Sequence, residues 1–276
     1  MTIQTLREAA RETRLRNRLI HCITNPISMN DCANAVLAVG AQPIMAEHPL
    51  EVAAVTRSAA ALLVNLGNIT DVRLEAMRVS GVEARENGVP CVIDLVGVNC
   101  SLLRLQFARK FVGENHPAVI KGNISELKAF AGTPTGAAGV DAAAGDQLTA
   151  GNTSEVCDQM ARLARRTGAV VLATGEADLV TDGSQAVLLR NGTPMLARIT
   201  GTGCMAGALV AAYLSGCGAM EAAVLAVSTL GIAGELAAES ARGTGTFRAA
   251  LLDNLGTLRD ETFEEHLRWE RRGLCP

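Results

Sequence analysis

Short, almost uninterrupted apolar runs are the feature of this 276-residue sequence that most constrains its fold. The five clearest runs lie at residues 18–23, 61–66, 90–95, 118–121 and 169–174. Strands that are covered on both faces have this character, because neither set of alternating side chains meets water. Helix-like stretches separate the runs, among them residues 28–39, 48–60, 71–87 and 153–167. Strands that alternate with helices predict βαβ units, a mostly parallel sheet and a three-layer α/β/α fold.

The pattern changes after Gly175. Three more apolar stretches, at 177–182, 186–190 and 194–199, are separated only by Gly-Ser and Asn-Gly turns. Such short connections predict antiparallel hairpins, which we expect at one edge of the sheet. From Cys204 onward the whole sequence has a helical pattern. We find no internal repeat and no clear boundary, so we expect one domain over residues 1–276, with a surface loop at 131–152.

Composition excludes several classes of function. The net charge is −3 at pH 7 and there is no long basic run, which argues against nucleic acid as a partner. The eight cysteines form no C-x-x-C pair and have no zinc-ligand spacing to the four histidines. We therefore expect free thiols in a reducing, cytoplasmic compartment.

No segment indicates a membrane. The first 19 residues are charged and lack the apolar core of a signal peptide. The most apolar late segment, residues 222–238, is interrupted by Ser228, Thr229, two glycines and Glu235. We interpret this segment as a buried helix, because a membrane span needs about 20 predominantly apolar residues.

Polar and small residues follow the predicted strands. They are Thr24-Asn25, Asn65-Leu66-Gly67, Asp94, Lys121-Gly122-Asn123 and Thr174-Gly175. In open α/β sheets, ligands bind beyond the carboxyl ends of the strands. The sequence therefore predicts a binding site where these residues converge.

A glycine-rich turn, Gly201-Thr202-Gly203-Cys204 (the GTGC turn), precedes a predicted helix at 204–214. Its glycines allow a sharp turn that exposes backbone N–H groups, and the helix adds its positive end. Such a turn suits a bound phosphate or a phosphoryl group in transfer. A tight turn that merely lets the helix pack closely is the alternative.

The GTGC turn fits neither of the common nucleotide motifs. A dinucleotide fingerprint belongs in a first βαβ unit with another strand after it, and no strand is predicted here. The pattern G-x-x-x-x-G-K-[ST] is absent. Cys204 stands at the start of the helix, where a thiol can accept the proton of a hydroxyl or act as a nucleophile. An inert buried cysteine is the alternative.

Two carboxylates form a candidate Mg²⁺ site. Asn123 and Glu126 share one face of a helix's first turn, after the strand that ends at Lys121. Asp94, at the end of another strand, is the natural second carboxylate, because Mg²⁺ takes one or two carboxylates and keeps water. A favourable charge at a helix start would equally explain Glu126. Lys121 faces the same region and can neutralise phosphates.

Several motifs together resemble the hydroxyethylthiazole kinase family of the ribokinase-like superfamily. They are His21-Cys22-Ile23-Thr24-Asn25, the segment 34–46, Asn65-Leu66-Gly67, Lys121-Gly122-Asn123-x-x-Glu126 and the GTGC turn. Most of the superfamily carries Asp where this chain has Cys204, and the cysteine resembles the thiazole kinases. One departure is Leu95, which stands where the family usually has proline after the strand-end Asp94.

The resemblance implies a ribokinase-like fold and ATP-dependent phosphorylation of 4-methyl-5-(2-hydroxyethyl)thiazole in thiamine salvage. It implies that ATP contacts Lys121, Thr174 and the backbone of Gly201 and Gly203, and that Asp94 and Glu126 hold Mg²⁺. It also implies a thiazole pocket lined by the residues Asn25, Met45, Gly67 and Gly201, with Cys204 as the catalytic group. A homotrimer with sites between subunits is a further implication.

Two alternatives to thiazole phosphorylation stay open on the sequence. A sister vitamin kinase would act on pyridoxal or hydroxymethylpyrimidine, although Cys204 and the segment 21–25 favour the thiazole. A binding or regulatory protein would keep the fold and hold a nucleotide without turnover. Core filling is the plainer interpretation of Met45.

Overall fold

The computed structural model describes residues 1–133, 148–149 and 151–274. Its strands form one sheet and have these bounds: β1 Leu19–Ile23, β2 Gln42–Ile44, β3 Ala61–Asn65, β4 Cys91–Asp94, β5 Val119–Asn123, β6 Val170–Thr174, β7 Asp178–Thr181, β8 Gln185–Leu189 and β9 Trp269–Gly273. The order across the sheet is β2-β1-β3-β4-β5-β6-β7-β8-β9. The strands from β2 to β6 are parallel, whereas β7, β8 and β9 each pair antiparallel to their neighbour.

The α-helices have these bounds: α1 Ile3–Arg16, α2 Met29–Ala38, α3 Val52–Ser58, α4 Asp71–Glu86, α5 Leu102–Asn115, α6 Ile124–Ala131, α7 Thr153–Thr167, α8 Thr202–Leu214, α9 Ala219–Ser240, α10 Thr244–Thr257 and α11 Asp260–His266. One core contains residues of α1, α2 and α8 to α11 on one face of the sheet. A second core contains residues of α3 to α7 on the other face. The predicted three-layer α/β/α fold, mostly parallel with antiparallel edge strands, is confirmed.

Strand β3 shows why its sequence has no polar alternation. All five of its residues are buried. Ala61 and Leu63 belong to the first core, whereas Leu62 and Val64 belong to the second. Alternate side chains of a strand point to opposite faces, so a strand between two helical layers needs apolar residues at every position.

The stretch 194–199 was predicted as a strand, and this prediction is wrong. It contains a short 3₁₀ helix, Leu196–Arg198. Pro194 cannot donate a ladder hydrogen bond, and the edge of β8 is already covered by β9, from the pair Gln185–Gly273 to the pair Leu189–Trp269. The expectation that everything after Cys204 is helical is therefore also wrong at β9.

Strand β2 was not predicted either. It has three residues, one of them Pro43, and it lies at the opposite edge of the sheet. A strand this short carries no readable periodicity. The predicted loop at 131–152 falls largely on residues 134–147 and 150, which lie outside the described residues.

Helix α9 is long and apolar enough to cross a membrane by length and composition alone. However, 78% of its most apolar window is buried inside the protein. It packs against α8 and α10 and against strands β6 to β8. The interpretation of residues 222–238 as a buried helix is therefore confirmed.

Candidate active site

The sheet register brings the strand-end residues together. Asn65 on β3 pairs with Asp94 on β4, and Asp94 pairs with Lys121 on β5. Asn123, at the end of β5, pairs with Thr174 at the end of β6. Because these strands are parallel, their carboxyl ends meet at one edge, as expected for a ligand site in an open α/β sheet.

The GTGC turn forms the start of helix α8. Gly201 has φ +92° and precedes the first helical residue, Thr202. An ideal Cβ on Gly201 would lie 2.7 Å from the Cβ of Ser28, so only glycine fits without movement. The Thr202 hydroxyl donates to the Leu196 carbonyl at 3.0 Å and anchors the turn. The first N–H groups of a helix have no intrahelical acceptor, so those of this turn are free to bind a ligand.

Two glycines set how closely α8 approaches the strand ends. An ideal Cβ on Gly207 would lie 3.1 Å from Asp94 Oδ2 and 3.3 Å from Leu63 Cδ1. The same construction on Gly203 comes 3.6 Å from Lys121 Nζ. The helix therefore packs directly over the Asp94 carboxylate, with the GTGC turn beside the Lys121 ammonium.

Lys121 and Asp94 form a buried ion pair. Lys121 Nζ lies 3.0 Å from Asp94 Oδ1 and 2.9 Å from Oδ2, and the Asn65 amide donates to Oδ2 at 3.0 Å. Burial tends to lower the pKa of Lys121, but its electrostatic interaction with Asp94, followed by those with Cys204 and Glu126, outweighs burial and raises the pKa. The ammonium is therefore charged at neutral pH and held at the strand ends.

The Asn123-x-x-Glu126 element forms a capping box at the start of helix α6. Asn123 Oδ1 accepts the Glu126 N–H at 2.8 Å, and Glu126 Oε2 accepts the Asn123 N–H at 2.8 Å. The other oxygen, Oε1, accepts the Gly97 N–H at 2.8 Å. Burial and the charge of Asp94 raise the pKa of Glu126 to about 7, against the opposing effect of those N–H groups and of Lys121. Glu126 thus caps the helix and also adds a second buried carboxyl group near Asp94.

The two carboxyl groups fit a Mg²⁺ ion held partly through water. An ionised carboxylate offers about four lone pairs, and the bonds above leave one on Asp94 Oδ1 and one on each Glu126 oxygen. Oxygen ligands in this number, completed by water and phosphate, suit Mg²⁺. Across residues 1–133, 148–149 and 151–274, no cluster of three or more His, Cys, Asp or Glu side chains forms a fuller metal cage.

Cys204 is connected to the ion pair through two asparagines. Asn25 Nδ2 donates to Cys204 Sγ at 3.1 Å and lies 3.5 Å from Asn65 Oδ1. Asn65 then donates to Asp94, so one line of polar groups runs from the thiol to Lys121. The Cys204 sulfur is thus the acceptor at one end of this line, and the Lys121 ammonium is the donor at the other end.

The structure brings most of the predicted site residues into one contiguous group. An ideal Cβ on Gly67 would lie 2.8 Å from Asn25 Nδ2, so Gly67 adjoins the amide that contacts Cys204. Met45 follows β2, is half-buried and packs against the same core as Cys204. Thr174 lies at the margin, where its hydroxyl donates a long bond of 3.4 Å to the Gly122 carbonyl.

Leu95 compensates for the missing family proline. Its N–H donates to the Lys121 carbonyl at 2.8 Å, a bond that proline cannot form. The bond extends the β4–β5 ladder by one step beyond Asp94. The chain next to the carboxylate is therefore held by a hydrogen bond where a proline ring would restrict it.

Three residues without a predicted role belong to this site. Asn65 is among the predicted strand-end residues and in the family motif Asn65-Leu66-Gly67, but neither assigns it a role, and the sequence pattern does not single out Gly207. Asp178 accepts the Gly175 N–H at 3.0 Å. Asp178 is half-buried, and the desolvation of its carboxyl group raises its pKa to about 7 against the opposing effects of the Gly175 N–H and of Lys121. No local signal marks Asp178, because β7 brings it there by folding back along β6.

Comparison with known proteins identifies the family. A model of the hydroxyethylthiazole kinase family matches residues 11–261. The chain is 50% identical over 255 residues to hydroxyethylthiazole kinase 2 of Clostridium botulinum strain Hall, covering 92% of this chain and 96% of that protein. It is 42% identical over 262 residues to a hydroxyethylthiazole kinase of Methanoculleus marisnigri, covering 94% and 91%.

Solved structures agree with this assignment. The structure of a hydroxyethylthiazole kinase protein from Pyrococcus horikoshii superposes with a TM-score of 0.88 at 31% identity, covering 98% of this chain and 99% of that one. A ribokinase-like protein from Enterococcus faecalis, 12% identical with a TM-score of 0.63, shares the fold. The resemblance found in the motifs is thus confirmed, and the chain belongs to the hydroxyethylthiazole kinase family.

Proposed function

We propose that this protein transfers the γ-phosphoryl group of ATP to the hydroxyl of 4-methyl-5-(2-hydroxyethyl)thiazole, a step of thiamine salvage. The observation that carries the proposal is the line of hydrogen-bonded groups from Cys204 to Lys121. This line joins a group that can accept the proton of the substrate hydroxyl to a group that can bind phosphate, at one edge of the sheet. Family membership supports the choice of acceptor.

The nucleotide lies over the carboxyl ends of β5 and β6 in this proposal. Lys121 is charged, buried and adjacent to the GTGC turn, so its ammonium binds the phosphates. Thr174 contacts the nucleotide at the margin of the same edge. The N–H groups of Gly201 to Cys204 point at the transferring group and stabilise the charge that develops on its oxygens.

Asp94 and Glu126 hold Mg²⁺ in this proposal, partly through water. When bound, the ion would neutralise negative charge on the phosphates. Lys121 already pairs with Asp94, so a phosphate that draws the ammonium toward itself frees a carboxylate oxygen. In this proposal the Lys121 ammonium and the Mg²⁺ ion would both balance the negative charge of the nucleotide.

The thiazole alcohol occupies the space beside Asn25, Met45, Gly67 and Gly201. A thioether contacts a polarisable sulfur heterocycle favourably, which suits Met45 to this position. The Cys204 sulfur, as a thiolate, takes the proton of the attacking hydroxyl and becomes the neutral thiol. A weak base suffices, because phosphoryl transfer depends mainly on positioning and charge neutralisation.

Further parts of the proposal concern assembly and location. We expect a homotrimer with its sites between subunits, and the exposed apolar side chains of Ile27 and Leu37 support an interface near α2. We expect a cytoplasmic location, which the seven described cysteines, all unpaired, support. Sedimentation equilibrium tests the trimer, and a monomer at micromolar concentration would contradict it.

A coupled assay for ADP release tests the activity. Purified protein and Mg-ATP are incubated with the hydroxyethylthiazole, hydroxymethylpyrimidine, pyridoxal or no acceptor. We expect ADP release with the thiazole alone. Release with only a pyrimidine or pyridine alcohol would overturn the pocket assignment, and nucleotide binding without any release would favour a binding protein.

A further inference from the structure

The amide of Asn65 joins the two halves of the site. Asn65 is the last residue of β3 and is fully buried. Its Oδ1 accepts the Gly67 N–H at 2.9 Å and lies 3.5 Å from Asn25 Nδ2. Its Nδ2 donates to Asp94 Oδ2 at 3.0 Å. One half of the site, with Asn25, Gly67 and Cys204, is where the thiazole alcohol is proposed to bind, and the other half, with Asp94 and Lys121, is where the phosphates are proposed to bind. The Asn65 side chain contacts both halves.

The neighbours fix which way the amide faces. The Gly67 N–H needs an acceptor, and the Asp94 carboxylate needs a donor. A 180° rotation would place N–H against N–H on one side and oxygen against carboxylate on the other. Aspartate offers only acceptors and leucine offers neither, so a short primary amide is the side chain that serves both sides.

We propose that Asn65 is a positioning residue that fixes Asn25 and Cys204 relative to Asp94 and Lys121. The inference rests on the proposed function and deepens it. Asn65 contacts no reacting atom itself, since it acts through the Asn25 amide on one side and through the Asp94 carboxylate on the other. A displacement of about 1 Å between reacting groups can lower a rate about 100-fold, so a rigid connection between the halves matters for kcat.

Two variants separate the two sides of the amide. Asn65→Asp keeps the acceptor for Gly67 and Asn25 but places a second carboxylate against Asp94. Asn65→Leu has a similar volume and loses both connections. We expect both variants to lower kcat about 10- to 100-fold. We expect only Asn65→Leu to weaken thiazole binding, by about 5- to 10-fold, measured by calorimetry on nucleotide-free, metal-free protein. Asn65→Asp is expected to bind the thiazole within about twofold of wild type.

Asn191 provides a matched control. It is also a buried amide between a carboxylate and a backbone donor: Nδ2 lies 3.3 Å from Glu235 Oε1, and Oδ1 accepts the Arg268 N–H at 2.8 Å. Its bonds connect the turn after β8 with α9, with the end of α11 and with the segment before β9, and none of them involves a residue of the site. Asn191→Leu is expected to lower the melting temperature about as much as Asn65→Leu while kcat and KM stay within about twofold.

The outcomes separate the inference from the function. Any of three results would overturn the inference alone. They are an unchanged kcat in Asn65→Asp, equal losses of thiazole binding in both Asn65 variants, and a loss of kcat in Asn191→Leu as large as that in Asn65→Leu. Wild-type protein that neither binds nor phosphorylates the thiazole would overturn the proposed function and the inference with it. If Asn65→Leu does not fold, Asn65→Asp still decides, because its kcat must fall while its thiazole binding is retained.

Discussion

Replacing Gly201 by alanine tests whether the GTGC turn depends on close packing against Ser28. Gly201 has φ +92°, a backbone conformation that side chains other than glycine rarely adopt. Its ideal Cβ would lie 2.7 Å from the Cβ of Ser28, which is 1% exposed. Carbon atoms in contact are about 3.5–4.0 Å apart, so the turn or Ser28 must move by about 1 Å.

The magnitude follows from two contributions. A left-handed backbone with a Cβ costs about 1–2 kcal/mol, and overpacking a buried contact costs about 1–3 kcal/mol. We therefore expect Gly201→Ala to lower the free energy of unfolding by about 2–5 kcal/mol. A shift of about 1 Å in the N–H groups of the turn is expected to lower kcat by about 100-fold.

Denaturant unfolding and steady-state kinetics provide the assay, and Gly88→Ala provides the control. Gly88 also has a positive φ, +66°, but no heavy atom lies within 4 Å of its ideal Cβ. Gly88→Ala should therefore lose only the backbone contribution, about 1–2 kcal/mol, and keep full activity.

A Ser28→Gly background removes the close contact between the new Cβ at position 201 and the Ser28 Cβ. In Ser28→Gly protein the nearest atom to the new Cβ is the Ser28 Cα, at 3.5 Å, an ordinary contact. There, Gly201→Ala should cost no more than Gly88→Ala does in wild type. Equal costs for Gly201→Ala in both backgrounds would refute the packing argument.

Four further predictions concern the groups around the turn. Cys204→Ser should reduce kcat but leave measurable turnover, because positioning dominates the reaction; complete inactivity in folded protein would contradict this. Lys121→Met should lower the free energy of unfolding by about 3–5 kcal/mol, because it leaves the Asp94 charge buried and unpaired. It should also raise the KM for ATP, because the phosphates lose the ammonium. Unchanged values in both assays would count against the ion pair. Leu95→Pro should cost about 1–3 kcal/mol in urea unfolding, because the Lys121 carbonyl loses its donor, and a stabilised variant would show that ring stiffness matters more. The pKa of Glu126 is raised from 4.5 to about 7, so the folded protein retains a proton that the unfolded chain releases. The stability that this proton contributes is therefore fully present below about pH 4.5 and is lost as the pH rises to 7. Over this range the free energy of unfolding should fall by about 3 kcal/mol more in the wild type than in Glu126→Gln. Parallel pH profiles of the two ligand-free proteins would exclude this.

Much of the fold could be predicted from local pattern. Apolar runs such as 61–66 and 169–174 identify strands covered on both faces, because burial on two sides removes the polar alternation. The helix at 71–87 was bounded correctly to within one residue, since Thr70 caps its start. The family motifs also predict that Asn25, Asp94, Lys121 and Cys204 share one site, and hydrogen bonds through Asn65 connect these four residues in the structure.

Only the tertiary structure decided the edges of the sheet. Strand β9 is the partner of β8 although about 80 residues separate them in sequence, and its exposed, charged residues carry no apolar pattern. The stretch 194–199 has the apolar pattern but lacks a free partner and contains proline. Pairing depends on which edge is open, and this is a property of the whole chain.

The chemistry of the site divides in the same way. Sequence determined which side chains stand at the strand ends, because a parallel sheet collects those ends at one edge. It did not determine that Gly207 lets α8 pack against the Asp94 carboxylate, or that β7 brings Asp178 back beside Gly175. Nor did it determine that the Asn65 amide turns its nitrogen toward Asp94 and its oxygen toward Gly67. These relations depend on register and packing at distances of about 3 Å, which residue types and spacings alone do not encode.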